Sequence, residues 1–226
     1  MALAVLLELT AAPGAQADER DFPFTYEYLQ ATKGERELAY HFTHTPRENF
    51  FKHELEFEYG ISDRFSLAPY LVFKSEEGCG LRFDSVKLEA RYRLGNFALN
   101  RVLIGLYAEL EQPEREALEA EGKLILSYYD KHSGHFSFNY IFERQLARGA
   151  ENEHAWSLGY ARSIGKGNLR GGLEMIHRIN TGQFNAGPVA SYNAGRGLHL
   201  VGGYAFPLNG NDGNRGEFRF LTQYHF

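Results

Sequence analysis

Gly216-Glu217-Phe218-Arg219-Phe220-Leu221-Thr222-Gln223-Tyr224-His225-Phe226 is the stretch whose reading decides the fold. Every second position carries Phe218, Phe220, Thr222, Tyr224 and Phe226. The positions between carry Glu217, Arg219, Leu221, Gln223 and His225. An extended strand sends alternate side chains to opposite faces, so one face here is aromatic and the other is mostly polar and charged. A soluble sheet would have to cover the aromatic face with a second layer. A strand in a bilayer leaves that face to lipid and turns the polar one toward a wet interior.

The alternation recurs along the chain. Leu38, Tyr40 and Phe42 share one parity in 37–43. Leu55, Phe57 and Tyr59 oppose Lys52, Glu54, Glu56 and Glu58 in 52–59. Residues 65–73 return, and Val86, Leu88, Ala90 and Tyr92 alternate with Lys87, Glu89, Arg91 and Arg93. Further segments fall near 101–111, 118–129, 135–144, 154–163, 168–178, 183–192, 197–206 and 216–226. This gives about 12 strands of roughly the length a tilted membrane strand needs. The connections alternate as well. Gly60–Asp63, Gly95–Asn96, His132–Gly134, Gly165–Gly167 and Gly195–Gly197 are short. His44–Asn49, Ser75–Asp84, Glu111–Glu116, Gln145–Glu153 and Pro207–Asn214 are longer and more charged, and Thr181–Gly182 is the exception. The expectation is an all-β, closed antiparallel transmembrane barrel with short periplasmic turns and longer outer loops. Pro69 inside a strand predicts a bulge or a local break in pairing.

Domain organisation follows. Residues 1–17 read as a signal peptide cut after Ala17, on the apolar run from Ala2 to Leu7 and the small-x-small Ala15-Gln16-Ala17. The expected basic start is missing, and Glu8 interrupts the run. Residues 35–226 form the barrel. Residues 18–34 remain, with the alternating Phe22–Tyr28, but a thirteenth wall strand would spoil the parity. They read as an extension in the lumen or in the periplasm, or as an extra strand. No run of 18 or more apolar residues marks a membrane helix. The net charge of −5 argues against a nucleic-acid partner. A lone cysteine, Cys79, leaves the redox compartment undetermined.

Parity assigns a lumen face. It collects Lys52, Lys74, Lys87, Arg91, Arg93, Arg101, Lys123, Arg170, Arg178 and Arg219 against Glu37, Glu54, Glu56, Glu58, Glu89, Glu109, Glu119, Glu121, Glu143 and Glu174. Tyr70 joins them beside the small Ser66 and Ala68. Basic residues at the bilayer midplane would cost about 2–4 kcal/mol each on the lipid face, so these charges must face water or one another. Near-equal numbers suit cross-linking over the bore better than a strongly ion-selective pore. The ladder Glu54, Glu56, Glu58 is expected to reach Lys87, Arg91 and Arg93 two strands on, or Lys52 and Lys74 nearby. Of the histidines, His41, His199 and His225 point inward by parity.

Two resemblances add to this. The last stretch, with Phe218, Phe220, Tyr224 and the terminal Phe226, resembles the C-terminal assembly signal of bacterial outer-membrane barrels, Thr222 standing where a larger apolar residue is usual. Residues 54–67 resemble the strand–turn–strand signature of proteobacterial outer-membrane barrels that are transporters without a known substrate, or proteins of unknown function. The phenol-degradation-type proteins are among these. The resemblance implies location in the outer membrane of a Gram-negative cell, and contact with outer-membrane lipid, lipopolysaccharide and the barrel-assembly machinery. It implies no substrate.

Three function classes follow: a narrow passive channel for small solutes, a structural barrel whose lumen is closed by salt bridges, and an outer-membrane lipid hydrolase. The last lacks a Gly-x-Ser-x-Gly elbow, and Ser133, between His132 and His135, lies in an expected turn. No catalytic residue, cofactor or metal is assigned: His132-Ser133-Gly134-His135 reads as a solvated turn, with a metal held by its two histidines as the alternative that lacks a third ligand. The acidic run 111–121 reads as an outer loop, with lipopolysaccharide bridging through divalent cations as the alternative.

Overall fold

The computed structural model describes residues 20–46, 49–75, 80–165, 167–209 and 216–226. The expected signal peptide and Cys79 lie outside them. Among the described residues twelve strands follow in order: β1 (Arg36–Thr45), β2 (Phe50–Ser62), β3 (Phe65–Ser75), β4 (Arg82–Leu94), β5 (Val102–Pro113), β6 (Glu119–Tyr129), β7 (Gly134–Gln145), β8 (Glu153–Ser163), β9 (Leu169–Arg178), β10 (Gln183–Gly195), β11 (Leu198–Pro207) and β12 (Glu217–His225). Each pairs antiparallel with its sequence neighbours, and β1 closes on β12, with Glu37 opposite His225 and His44 opposite Phe218. Closure leaves no unpaired edge, which is what lets strands cross lipid at all.

The period of two sorts the side chains. Leu88, Leu106, Leu124 and Leu173 stand 40–58% exposed on the outer surface, while Ala68, Val72, Ile125 and Leu221 are buried within. An apolar belt of this kind outside a closed wall is a lipid-facing surface. Aromatic contacts ring the ends of the strands nearest the longer loops: Phe42 with Phe51, Phe73 with Phe83, and Trp156 with His177 and Phe184. At the opposite end Tyr224 stacks with Phe226. Amphipathic rings sit at lipid–water interfaces for their mixed polarity.

Several boundaries differ from the sequence reading. β2 continues through Gly60 and Ile61 to Ser62, with a register shift at Gly60/Ser62, so only Asp63 and Arg64 separate it from β3. The β4–β5 connection is residues 95–101, not Gly95–Asn96 alone. It contains Arg101, which is therefore exposed at the periplasmic end and not in the lumen. The acidic run 111–121 is mostly strand, since β5 extends to Pro113 and β6 begins at Glu119. The β2–β3 ladder skips the pairs at Phe57 and Glu58, opposite Pro69 and Ala68, as a missing amide donor requires. The β10–β11 ladder breaks in the same way beside Pro188.

The lipid-facing belt makes a measurable demand. Leu106→Arg should destabilise the folded barrel by about 2–4 kcal/mol in urea titrations in phospholipid vesicles. An arginine at a water-exposed site would cost almost nothing, and that result would remove the belt.

Candidate functional site

The lumen is occupied in its periplasmic half by the chain's own N-terminal segment, residues 20–34. This segment forms no strand. Phe22 and Thr25 are fully buried, Glu27 and Tyr28 nearly so. Irregular backbone at membrane depth is tolerated only where protein or water satisfies its polar groups, and here inward side chains of the wall do so. Glu174 on β9 accepts the amides of Phe24 (3.0 Å) and Thr25. Asn139 on β7 accepts the Tyr26 amide at 2.6 Å and donates back to the Tyr26 carbonyl at 2.8 Å. Ser137 donates to that same carbonyl, and Ser127 on β6 accepts the Tyr28 amide at 3.0 Å. Glu58 accepts from Ala31, and Arg91 donates to the carbonyls of Glu27 and Leu29.

Packing matches the hydrogen bonds. Strands β8, β9 and β11 turn Gly159, Ala161, Gly172 and Gly203 inward. A Cβ on Gly159 would lie 2.7 Å from the Phe22 ring, and one on Gly203 would lie 3.0 Å from Pro23. The segment thus sits in a floor made shallow by glycine. Its far end is clamped by charge. Asp21 meets Arg170 Nε at 2.7 Å, Ser191 Oγ at 2.7 Å and His135 Nδ1 at 2.9 Å, while His199 Nε2 reaches the Arg20 carbonyl at 2.7 Å. Burial pushes the Asp21 carboxyl up, but the His135 hydrogen bond and the Arg170 charge outweigh it, so the group lies below the usual aspartate range.

Above the segment lies a cavity of about 290 Å³ whose floor is Arg20, Pro23, Phe24 and Tyr26. Its walls are unequal. Glu109 on β5 stands opposite Glu121 on β6, and Glu121 opposite Glu143 on β7. Glu111 stands opposite Glu119 one step outward. Two lysines interrupt this acidic wall. Lys87 bridges Glu54, Glu109 and Glu111 at 3.1–3.3 Å, and Lys123 meets Glu121 at 2.6 Å while capping the rings of Tyr26 and Tyr107 at 4.0 and 3.9 Å. Across the bore stand Arg178, and Arg219 over the Phe24 ring at 4.5 Å.

Most residues assigned to the lumen by parity fall into two groups. Lys52, Glu54, Tyr70, Lys87, Glu109, Lys123, Arg178 and Arg219 line the cavity. Glu58, Glu89, Arg91, Arg170 and Glu174 are engaged with the plug or its immediate supports, Glu89 through the Tyr26 and Tyr70 hydroxyls at 3.1 and 2.6 Å. Glu56 pairs with His41 at 2.7 Å. The reach across two strands is found at Lys87–Glu54, and Arg91 comes to 3.8 Å of Glu58. Arg93 instead donates to the Asp63 carbonyl in the turn. Glu111, Glu119 and Glu121 face this cavity. His135 is not in a solvated turn. Only Ser133, in a left-handed conformation, and the exposed His132 fit that reading, whereas His135 is 1% exposed and turned into the plug. Arg20, Asp21, His135, Ser127, Ser137 and Asn139 were not singled out from sequence as plug contacts. The available signal was a row of small polar side chains at inward parity, where a wide bore would carry long charged ones.

No family model matches the chain, and no curated protein matches it. Solved structures do. The KdgM porin superposes with a TM-score of 0.63 at 12% identity, over 84% of this chain and 99% of that one. The NanC porin gives 0.61 at 11%, over 83% and 98%. An outer-membrane channel from Pseudomonas putida F1 gives 0.59 at 13%, over 91% and 99%. The shared feature is the fold. With the closed wall and the apolar belt, it makes this chain a transmembrane β-barrel with the fold of outer-membrane channels. The kinship with phenol-degradation-type proteins expected from residues 54–67 has no matching family model behind it.

The glycine floor can be tested directly. Gly159→Val places side-chain atoms where Phe22 sits and should unseat the plug without breaking the β7–β9 ladders. Added protease should then cut the segment 20–34 at least tenfold faster than in the unaltered protein. An unchanged rate would mean that Phe22 does not depend on that space.

Proposed function

We propose that the protein is a narrow passive channel for small solutes across the outer membrane, constricted by its own N-terminal segment. The observation that carries this reading is the cavity ending on Arg20, Pro23, Phe24 and Tyr26. The outer half of the bore holds room for a small solute. The periplasmic half is filled by peptide, so passage requires that peptide to yield. Outer-membrane lipid around the belt and the assembly machinery reading the Phe218–Phe226 pattern are the partners this implies.

The wall charges bear on selectivity. Cross-strand neighbours Glu109, Glu121 and Glu143 present carboxyl groups at spacings of about 5 Å, with Lys87 on Glu109 and Lys123 on Glu121. A low-dielectric wall focuses such a field into the bore. Removing this lysine as Lys123→Gln should shift the reversal potential of the open pore toward cations in a salt gradient. No shift would mean that the permeant path avoids the acidic wall.

The competing reading is a structural barrel, favoured by the Lys87 bridges that brace β2, β4 and β5. Single-channel recording separates the two. A variant lacking residues 20–31 should conduct several-fold more than the full barrel, because the residues it loses fill the bore. If the truncated barrel folds and still passes no current, the channel reading fails and the structural one stands.

A further inference from the structure

The cluster at the periplasmic end of the plug does more than the channel reading asks of it. Asp21 and Glu27 reach the same ring nitrogen of His135. Nδ1 lies 2.9 Å from Asp21 Oδ2 and 3.1 Å from Glu27 Oε1. The three donor atoms fall within 4.8 Å of one another, and the residues are 5%, 1% and 1% exposed. We propose that this cluster is a binding site for one first-row divalent metal ion, of which Zn²⁺ is the type, clasped between the plug and the wall.

Three features support a metal site. The donor set of one imidazole nitrogen and two carboxylate oxygens suits Zn²⁺, and three protein ligands leave a fourth position for water. A tetrahedral ion with bonds of about 2.0–2.2 Å holds its ligand atoms about 3.3–3.6 Å apart, so the two separations from His135 Nδ1, 2.9 and 3.1 Å, need to open by only a few tenths of an ångström. The ligands are also oriented from outside. Ser191 Oγ and Arg170 Nε hold the Asp21 carboxylate, both Glu27 oxygens lie at 2.9 and 3.1 Å from the Asp21 amide, and Tyr129 stacks on the imidazole at 4.0 Å. Such outer partners fix ligand direction and basicity in metal sites. The Arg170 charge opposes a second cation, and an imidazolium is the state that competes with the metal for the same two carboxylates.

Two of the ligands belong to the plug and one to the barrel. Metal can therefore be held by all three only while the plug is seated, and its binding free energy adds to the hold on the segment. The inference rests on the seated plug and not on transport. A barrel that passes no current could still carry the ion.

Isothermal titration of the full refolded chain in detergent with Zn²⁺ alone tests it. One ion per chain is expected, with affinity at least tenfold weaker in each of His135→Gln, Asp21→Asn and Glu27→Gln. His132→Gln alters an exposed histidine three positions away and should leave binding unchanged. Asp21 and Glu27 lie outside the strands, so their variants keep the barrel intact if His135→Gln does not fold. No uptake by the unaltered chain, or uptake that the three cluster variants leave unchanged, overturns the proposal and leaves the Asp21–His135 hydrogen bond as the latch.

Discussion

A peptide threaded through a barrel has no ladder partner, and its amides must be satisfied by side chains or left buried at a cost of about 1–3 kcal/mol each. That constraint organises the lower half of this molecule. Glu174 for Phe24 and Thr25, Asn139 and Ser137 for Tyr26, and Ser127 for Tyr28 act as a side-chain sheet edge for a segment that forms no strand. The barrel wall is thus also a template, with small polar residues where the backbone passes close and glycine where Phe22 and Pro23 press in.

The same constraint divides the inward charges. In an open bore, Glu, Lys and Arg would be solvated and their pairing would matter little. Here Arg91 and Glu174 spend their hydrogen bonds on plug backbone, whereas Lys87, Glu109 and Lys123 belong to the cavity above. Near-equal numbers of acids and bases at inward parity therefore do not make a uniform lumen. The acids gather on β5 to β7, and Arg178 and Arg219 stand across from them.

The wall was legible because lipid enforces a strict period of two. Leu55, Phe57 and Tyr59 against Glu54, Glu56 and Glu58 mark a strand with one apolar face, and the closed barrel followed from alternating connection lengths. The plug was only half legible. Phe24-Thr25-Tyr26-Glu27-Tyr28 alternates like a wall strand, and only the even strand count set it aside. Its partners were hidden because Asn139, Ser127 and His135 look like ordinary inward residues until the segment is in place. Turn lengths misled for a related reason. Gly95 does begin a turn, but the chain runs on to Arg101 before β5 resumes, and nothing periodic marks that distance.

Hydrogen exchange of the barrel in lipid vesicles measures the central constraint most directly. If wall side chains hold the segment, the amides of Phe24, Thr25, Tyr26 and Tyr28 should exchange at least a hundredfold more slowly than in the free peptide, despite belonging to no strand. Exchange of those four amides at the free-peptide rate, with the strands still protected, would contradict the account.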